Sequence, residues 1–178
     1  MSVTAKSKVI QSDGSALTGI VPVTFEIEGY ASGKRRNDVK VGMVQPERLK
    51  IWDIASDEGK FHGGDEEAPA PLALFTASVV TCFMTQLRTF ARQCGVEFQG
   101  LKTNGKFEWV AKRNGQEPYT AHPNQFTLDI EFETASSLDA QKHLVRAAAK
   151  GCFVEQVLAV SLVHRLRHGN EWVVCEVD

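Results

Sequence analysis

Four cysteines, Cys82, Cys94, Cys152 and Cys175, are the side chains of this sequence best suited to covalent chemistry. The two closest, Cys82 and Cys94, stand twelve residues apart, so there is no Cys-x-x-Cys pair to hold zinc. A thiolate attacks electrophiles, and a second thiol beside it can then close a disulfide. Cys82 and Cys152, 70 residues apart, are the pair to weigh, because both fall on helices by the pattern around them. Cys94 and Cys175 match nothing catalytic and read as small packing residues. His164 and His168 would share a face on a helix, but Arg165, Arg167 and Gly169 mark a surface segment near a helix end. His62 with Asp65, Glu66 and Glu67 reads as a solvated acidic loop, its carboxylates adjacent rather than at ligand spacing, so no metal is assigned.

Periodicity shows which elements must position the thiols. Ala70 to Leu87 is an apolar run with Cys82 two thirds of the way along it. It holds no charged side chain, so the helix it predicts should be wrapped by protein on most sides. Pro69 and Pro71 suit a first helical turn, Gly95 a left-handed stop, and Arg88 and Arg92 complement the dipole near the end. A membrane span is the rival reading; the run is barely long enough and is diluted by Thr76, Ser78, Thr81, Thr85 and Gln86.

Ahead of this helix, Val21 to Tyr30 alternates with Val23, Phe25 and Ile27 on one face, as a half-buried strand does. Val39, Val41 and Met43 form a second alternation, and Gln45-Pro-Glu47 turns the chain into Leu49–Trp52, giving three antiparallel strands. After the helix come strands through Phe107, Trp109 and Ala111 and through Phe126, Leu128, Ile130 and Phe132, joined by an exposed loop from Arg113 to Gln125. Ser136-Ser-Leu-Asp139 starts a helix that runs to Lys150, and Gly151 breaks it. Cys152 then opens a short helix, Phe153 to Val160, which would set its sulfur among unpaired amide donors and lower its pKa. Trp172 to Val177 is a final strand carrying Cys175. The order is three strands, helix, two strands, two helices, strand: an α+β domain with two cysteine-bearing helices packed on sheet.

At 178 residues the chain is long enough for one domain with a sizeable core, expected over residues 21–178 behind an extension at 1–20. Lys and Arg total 20 against 22 Asp and Glu, a balance that offers no basic field for nucleic acid. There is no lysine-rich amphipathic helix for a lipid surface. Residues 1–20 lack the apolar core of a secretory signal, so a cytoplasmic location with reduced thiols is expected.

Ala70-Pro-Leu-Ala-Leu-Phe-Thr-Ala-Ser-Val-Val-Thr-Cys82 resembles the first-cysteine segment of the OsmC/Ohr family. The Gly63-Gly-Asp65 lead-in is similar too, and Ala149-Lys-Gly-Cys-Phe-Val154 resembles the second-cysteine motif. The resemblance implies an OsmC-like fold in an intertwined homodimer, and a thiol peroxidase acting on organic hydroperoxides without metal or organic cofactor. It implies that Cys82 attacks and becomes a sulfenic acid, that Cys152 resolves it to a disulfide, and that an external dithiol reduces the pair. Phe75, Val79, Phe83 and Met84 would form the apolar pocket for substrate.

The residues read alone favour Cys152 as the more acidic thiol, since Cys82 sits mid-helix in apolar surroundings that raise a thiol pKa. In the family an arginine from the first strands offsets that burial, held by a glutamate just after the proline. Here Leu72 follows Pro71, so that glutamate is missing; Glu67, Glu66 and Glu155 are the carboxylates nearest in sequence to the two motifs. Arg36 is the first candidate for the arginine, with Arg35 and Arg48 as alternatives. The competing functional reading is a family member that kept the dimeric fold and uses the apolar pocket to bind a small hydrophobic ligand.

Overall fold

Alternating apolar and polar residues build the first of two compact units, Met1–Pro71 and Leu72–Asp178, in a computed structural model that describes residues 19–158 and 160–177. Most of the extension expected over residues 1–20 lies outside the described residues. In the first unit β1 (Thr24–Ala31), β2 (Asn37–Gln45) and β3 (Trp52–Ser56) form an antiparallel sheet in the order β1-β2-β3. Directly opposed residues share a face. Phe25 opposite Met43, Ile27 opposite Val41, and Val39 opposite Ile54 therefore line one side of the sheet. Glu28 opposite Lys40 lies on the other. The alternation is as expected, but every residue of β1 is exposed, so the strand is not half-buried by this chain. The third strand also begins later than expected, because the chain spends residues 46–51 on the reversal before Trp52 pairs with Val41.

The loop after β3 is organised around one carboxylate. Asp57, 2% exposed, accepts hydrogen bonds from the backbone N–H groups of Glu58, Asp65 and Glu67. The Glu67 amide does most to hold its pKa below the ordinary value. Gly64 is required here, since a Cβ would sit 1.8 Å from the Glu58 carbonyl oxygen.

The second unit is built on a four-stranded sheet in the order β4-β5-β6-β7: β4 (Gln99–Lys112), β5 (Thr120–Glu133), β6 (Leu162–His168) and β7 (Glu171–Cys175). β5 and β6 are parallel, and α2 (Leu138–Gly151) makes the crossover between them; the other pairs are antiparallel. The Ser137 hydroxyl caps α2 by accepting the Ala140 amide, one residue later than the Ser136 start the sequence predicts. The helix α1 (Pro71–Phe90) ends in loosened turns that reach Gly95, whose φ of 66° makes it the left-handed stop anticipated from the sequence.

Val79, Phe83 and Leu87, four residues apart along α1, are its buried face. They join Phe126, Leu128 and Ile130 of β5, Leu144, Val145, Ala148 and Ala149 of α2, and Leu162 and Leu166 of β6 in one core. The rest of α1 is half-buried or exposed, Leu72 to 51%, so this chain alone does not wrap the helix on most sides as its composition demands. By length and composition α1 could cross a membrane, yet its inward stripe is sealed against sheet and helix.

The strand β6 replaces two expectations. The helix predicted over Phe153–Val160 is a single 3-10 turn, Glu155–Val157, and the surface segment around His164 and His168 is a core strand. Leu162, His164 and Leu166 point inward and are buried, while Val163, Arg165 and Arg167 alternate outward. The final strand spans Glu171–Cys175 instead of Trp172–Val177, with Cys175 buried opposite His164.

Candidate functional site

Cys82 lies on α1 immediately before Phe83 and is half-buried. Cys152 lies at the end of α2, where its own N–H bonds the Ala149 carbonyl at 3.2 Å, and it has no exposed surface. Helix α2 packs beside α1 in the same core, which brings the thiols together across 70 residues of sequence. The Cys82 thiol is near enough to Cys152 to help raise its pKa, and both cysteines are free.

The acidity expected of Cys152 is reversed. Burial pushes its pKa up to about 12, with smaller contributions in the same direction from the Cys82 thiol and the Glu155 carboxylate. One donor opposes them, the Glu155 backbone N–H at the 3-10 turn. Cys152 therefore does not open a helix among several unpaired amides. It is the residue that terminates α2. Burial raises the pKa of Cys94 and of Cys175 as well.

Behind Cys152 stands a pair the sequence reading missed. The Nε2 atom of His164, a residue with no exposed surface, lies 3.2 Å from the Glu155 Oε2, and its ring packs on Phe83 with centroids 5.0 Å apart. A period of two in Leu162-Val163-His164-Arg165-Leu166, with the histidine counted as an inward residue, was the signal that could have found it.

Of the four residues read as an apolar pocket, Val79 and Phe83 are sealed in the core, because they belong to the inward stripe of α1. Phe75 and Met84 are half-buried, and Phe75 packs edge-on to Trp109 with centroids 6.1 Å apart.

In the first unit Arg36 is fixed by carboxylates. Its Nη2 lies 3.0 Å from the Asp38 Oδ1 and its Nη1 lies 3.8 Å from the Glu67 Oε2. Asp38 is the main cause of its raised pKa. Arg35 instead donates to the His62 carbonyl at 3.0 Å and to the Lys34 carbonyl, and Arg48 is exposed.

The model of the OsmC-like protein family matches residues 63–166, more than half of the chain. The chain is a member of the OsmC-like family. An OsmC-like hydroperoxide resistance protein from Jannaschia sp. is 36% identical, over 85% of this chain and 97% of that one, with a TM-score of 0.50. The fold is shared with an OsmC-like protein from Mycoplasma pneumoniae at 14% identity, over 82% of this chain and 98% of that one, with a TM-score of 0.59. It is shared also with an organic hydroperoxide resistance protein from Legionella pneumophila at 15% identity, over 84% and 97%, with a TM-score of 0.50. No curated protein matches the chain. The matched residues 63–166 include both Cys82 and Cys152. Within the OsmC-like family this chain departs at Leu72, where the resemblance calls for a glutamate, and it is Glu67, four residues earlier than Pro71, that reaches Arg36.

Proposed function

We propose that this OsmC-like protein is a thiol peroxidase that reduces organic hydroperoxides. The observation that carries the reading is that Cys82 and Cys152, both free, lie on the same core, near enough for Cys82 to raise the pKa of Cys152. The Cys82 thiolate attacks the outer oxygen of R–O–OH; the O–O bond breaks, the alkoxide takes a proton and leaves as alcohol, and the sulfur becomes a sulfenic acid. Cys152 then displaces that hydroxyl as water and forms the disulfide. An external dithiol returns both sulfurs to the reduced state, in a reducing compartment such as the cytoplasm.

A thiolate in an apolar site needs a cation; the family resemblance calls for an arginine from the first strands, and Arg36, held within its own unit by Asp38 and Glu67, is the candidate. Phe75 and Met84 supply half-exposed apolar surface for the organic part of the substrate, backed by Val79 and Phe83. The active species in this reading is an intertwined homodimer.

Reduced protein mixed with cumene hydroperoxide tests the reading. Two thiols per chain are lost, and Cys82→Ser abolishes the loss. If no thiol is consumed, the protein is a binding module of the same fold whose apolar surface takes a small hydrophobic ligand.

A further inference from the structure

The second step of the proposed cycle has an unmet requirement. Cys152 must lose its proton to attack the Cys82 sulfenic acid, yet its surroundings hold the thiol neutral, and it has no exposed surface from which water could take the proton. The acceptor has to be a protein group. Glu155 follows Cys152 by three residues in a turn closed by the Gln156 N–H on the Cys152 carbonyl at 3.1 Å, so the two side chains share a face, and the Glu155 carboxylate contributes to the raised pKa of the thiol.

That carboxylate does not stand free in the core. His164 Nε2 holds it at 3.2 Å, with the Glu155 side chain 11% exposed and the imidazole fully buried. Against a carboxylate oxygen Nε2 is the donor nitrogen. Among the described residues the other ring nitrogen, Nδ1, is buried without a hydrogen-bond partner. The ring packs on Phe83, but an apolar side chain like Leu162 or Leu166 would pack there without leaving a buried nitrogen unpaired. The chemical gain lies in a carboxylate kept beside a sulfur.

We propose that Glu155 is the base that takes the Cys152 proton as the disulfide closes, and that His164 is the positioning residue that holds the carboxylate there. The balance is simple: Cys152 S–H gives its proton to the Glu155 carboxylate, the sulfur bonds to the Cys82 sulfur, and the S–O bond of the sulfenic acid breaks. The departing hydroxide takes up that proton, so the step releases water and restores Glu155. The proposal rests on the peroxidase reading only for the identity of the oxidant.

The test separates the two. Reduced wild type, Glu155→Gln, Glu155→Asp and His164→Leu are oxidised with tert-butyl hydroperoxide and, in parallel, with diamide, which drives the same disulfide without a hydroperoxide. Disulfide closure is followed by quenched-flow mass spectrometry, and sulfenic acid by dimedone trapping. Closure slows about a hundredfold in Glu155→Gln, the size of a lost general base, and the Cys82 sulfenic acid accumulates. Glu155→Asp restores part of the rate. His164→Leu slows closure, and combining it with Glu155→Gln adds no further loss. Closure at the wild-type rate in folded Glu155→Gln, or in folded His164→Leu and Glu155→Asp should Glu155→Gln not fold, overturns the proposal. A wild type that ignores hydroperoxide while diamide closure still depends on Glu155 overturns the peroxidase reading and leaves the base in place. A wild type that closes no disulfide with either reagent overturns both.

Discussion

Burial and a single amide pull the Cys152 thiol in opposite directions, and burial prevails. Because the thiol is neutral and without exposed surface, iodoacetamide at pH 8 modifies it more slowly than any other cysteine of the folded protein. Peptide mapping checks this: labelling of Cys152 at the rate of half-buried Cys94 would contradict the geometry. The same shift has a consequence for stability. The ordinary value is 9.0 and the folded value about 12, so between them the unfolded chain releases a proton that the folded chain keeps. Stability from this group is full below pH 9.0 and falls as pH rises toward about 12. Urea midpoints at pH 7.5 and pH 10, in dithiothreitol, fall further for wild type than for Cys152→Ala; equal falls would mean the thiol is not held neutral. The role proposed for Arg36 predicts that Arg36→Ala slows the loss of Cys82 thiol by about a hundredfold, whereas Glu67→Gln costs less because Asp38 still holds the guanidinium. Stopped-flow oxidation rates for the two variants check the order.

The packing of α1 on its sheet depends on the absence of a side chain in β4. Gly105 sits opposite Leu128, and a Cβ built there would lie 2.5 Å from Phe107, 3.2 Å from Val80 of α1 and 3.3 Å from Leu128. Gly105→Ala therefore destabilises the protein by about 1–3 kcal/mol, the usual range for overpacking, read as a lower urea midpoint at unchanged slope. An unchanged midpoint would show that α1 shifts freely over β4. At this scale the sequence was legible wherever burial on one face left a clean period: Phe126, Leu128, Ile130 and Phe132 against Thr127, Asp129 and Glu131 lie in β5 as the alternation puts them. The strand nevertheless begins at Thr120, inside the stretch expected to be an exposed loop, where residues without that period pair with β4. The Gly95 stop and the start of α2 are placed to within a residue, since capping chemistry is local. β6 was hidden because charge lies on its outward face and a histidine on its inward one, and Arg165 pairs with Asp129 across the strands through two bonds of 2.6 Å. Nothing in local sequence shows that pairing. Missing β6 also misplaced Cys152, since a chain without a strand at 162–168 has to continue as helix after Gly151.

At the scale of the whole molecule, each of the two units leaves apolar side chains exposed. On one face of the N-terminal sheet Phe25 is 61% exposed, Ile27 67% and Trp52 58%. Separately, α1 carries no charged residue until Arg88 and leaves Leu72 exposed. Monomers rarely present contiguous apolar patches beyond a few hundred Å², and larger ones mark interaction surfaces. In the homodimer proposed above, a second copy of the chain covers the apolar face of the N-terminal sheet. Sedimentation equilibrium at micromolar concentration therefore returns twice the mass of one chain. Ile27→Glu, which places a charge at the centre of the exposed face, shifts the protein to monomer or aggregate, and the apparent unfolding midpoint becomes dependent on protein concentration. A wild type that sediments as a monodisperse monomer, with a midpoint independent of concentration, would require the apolar face of β1 to find its cover within a single chain.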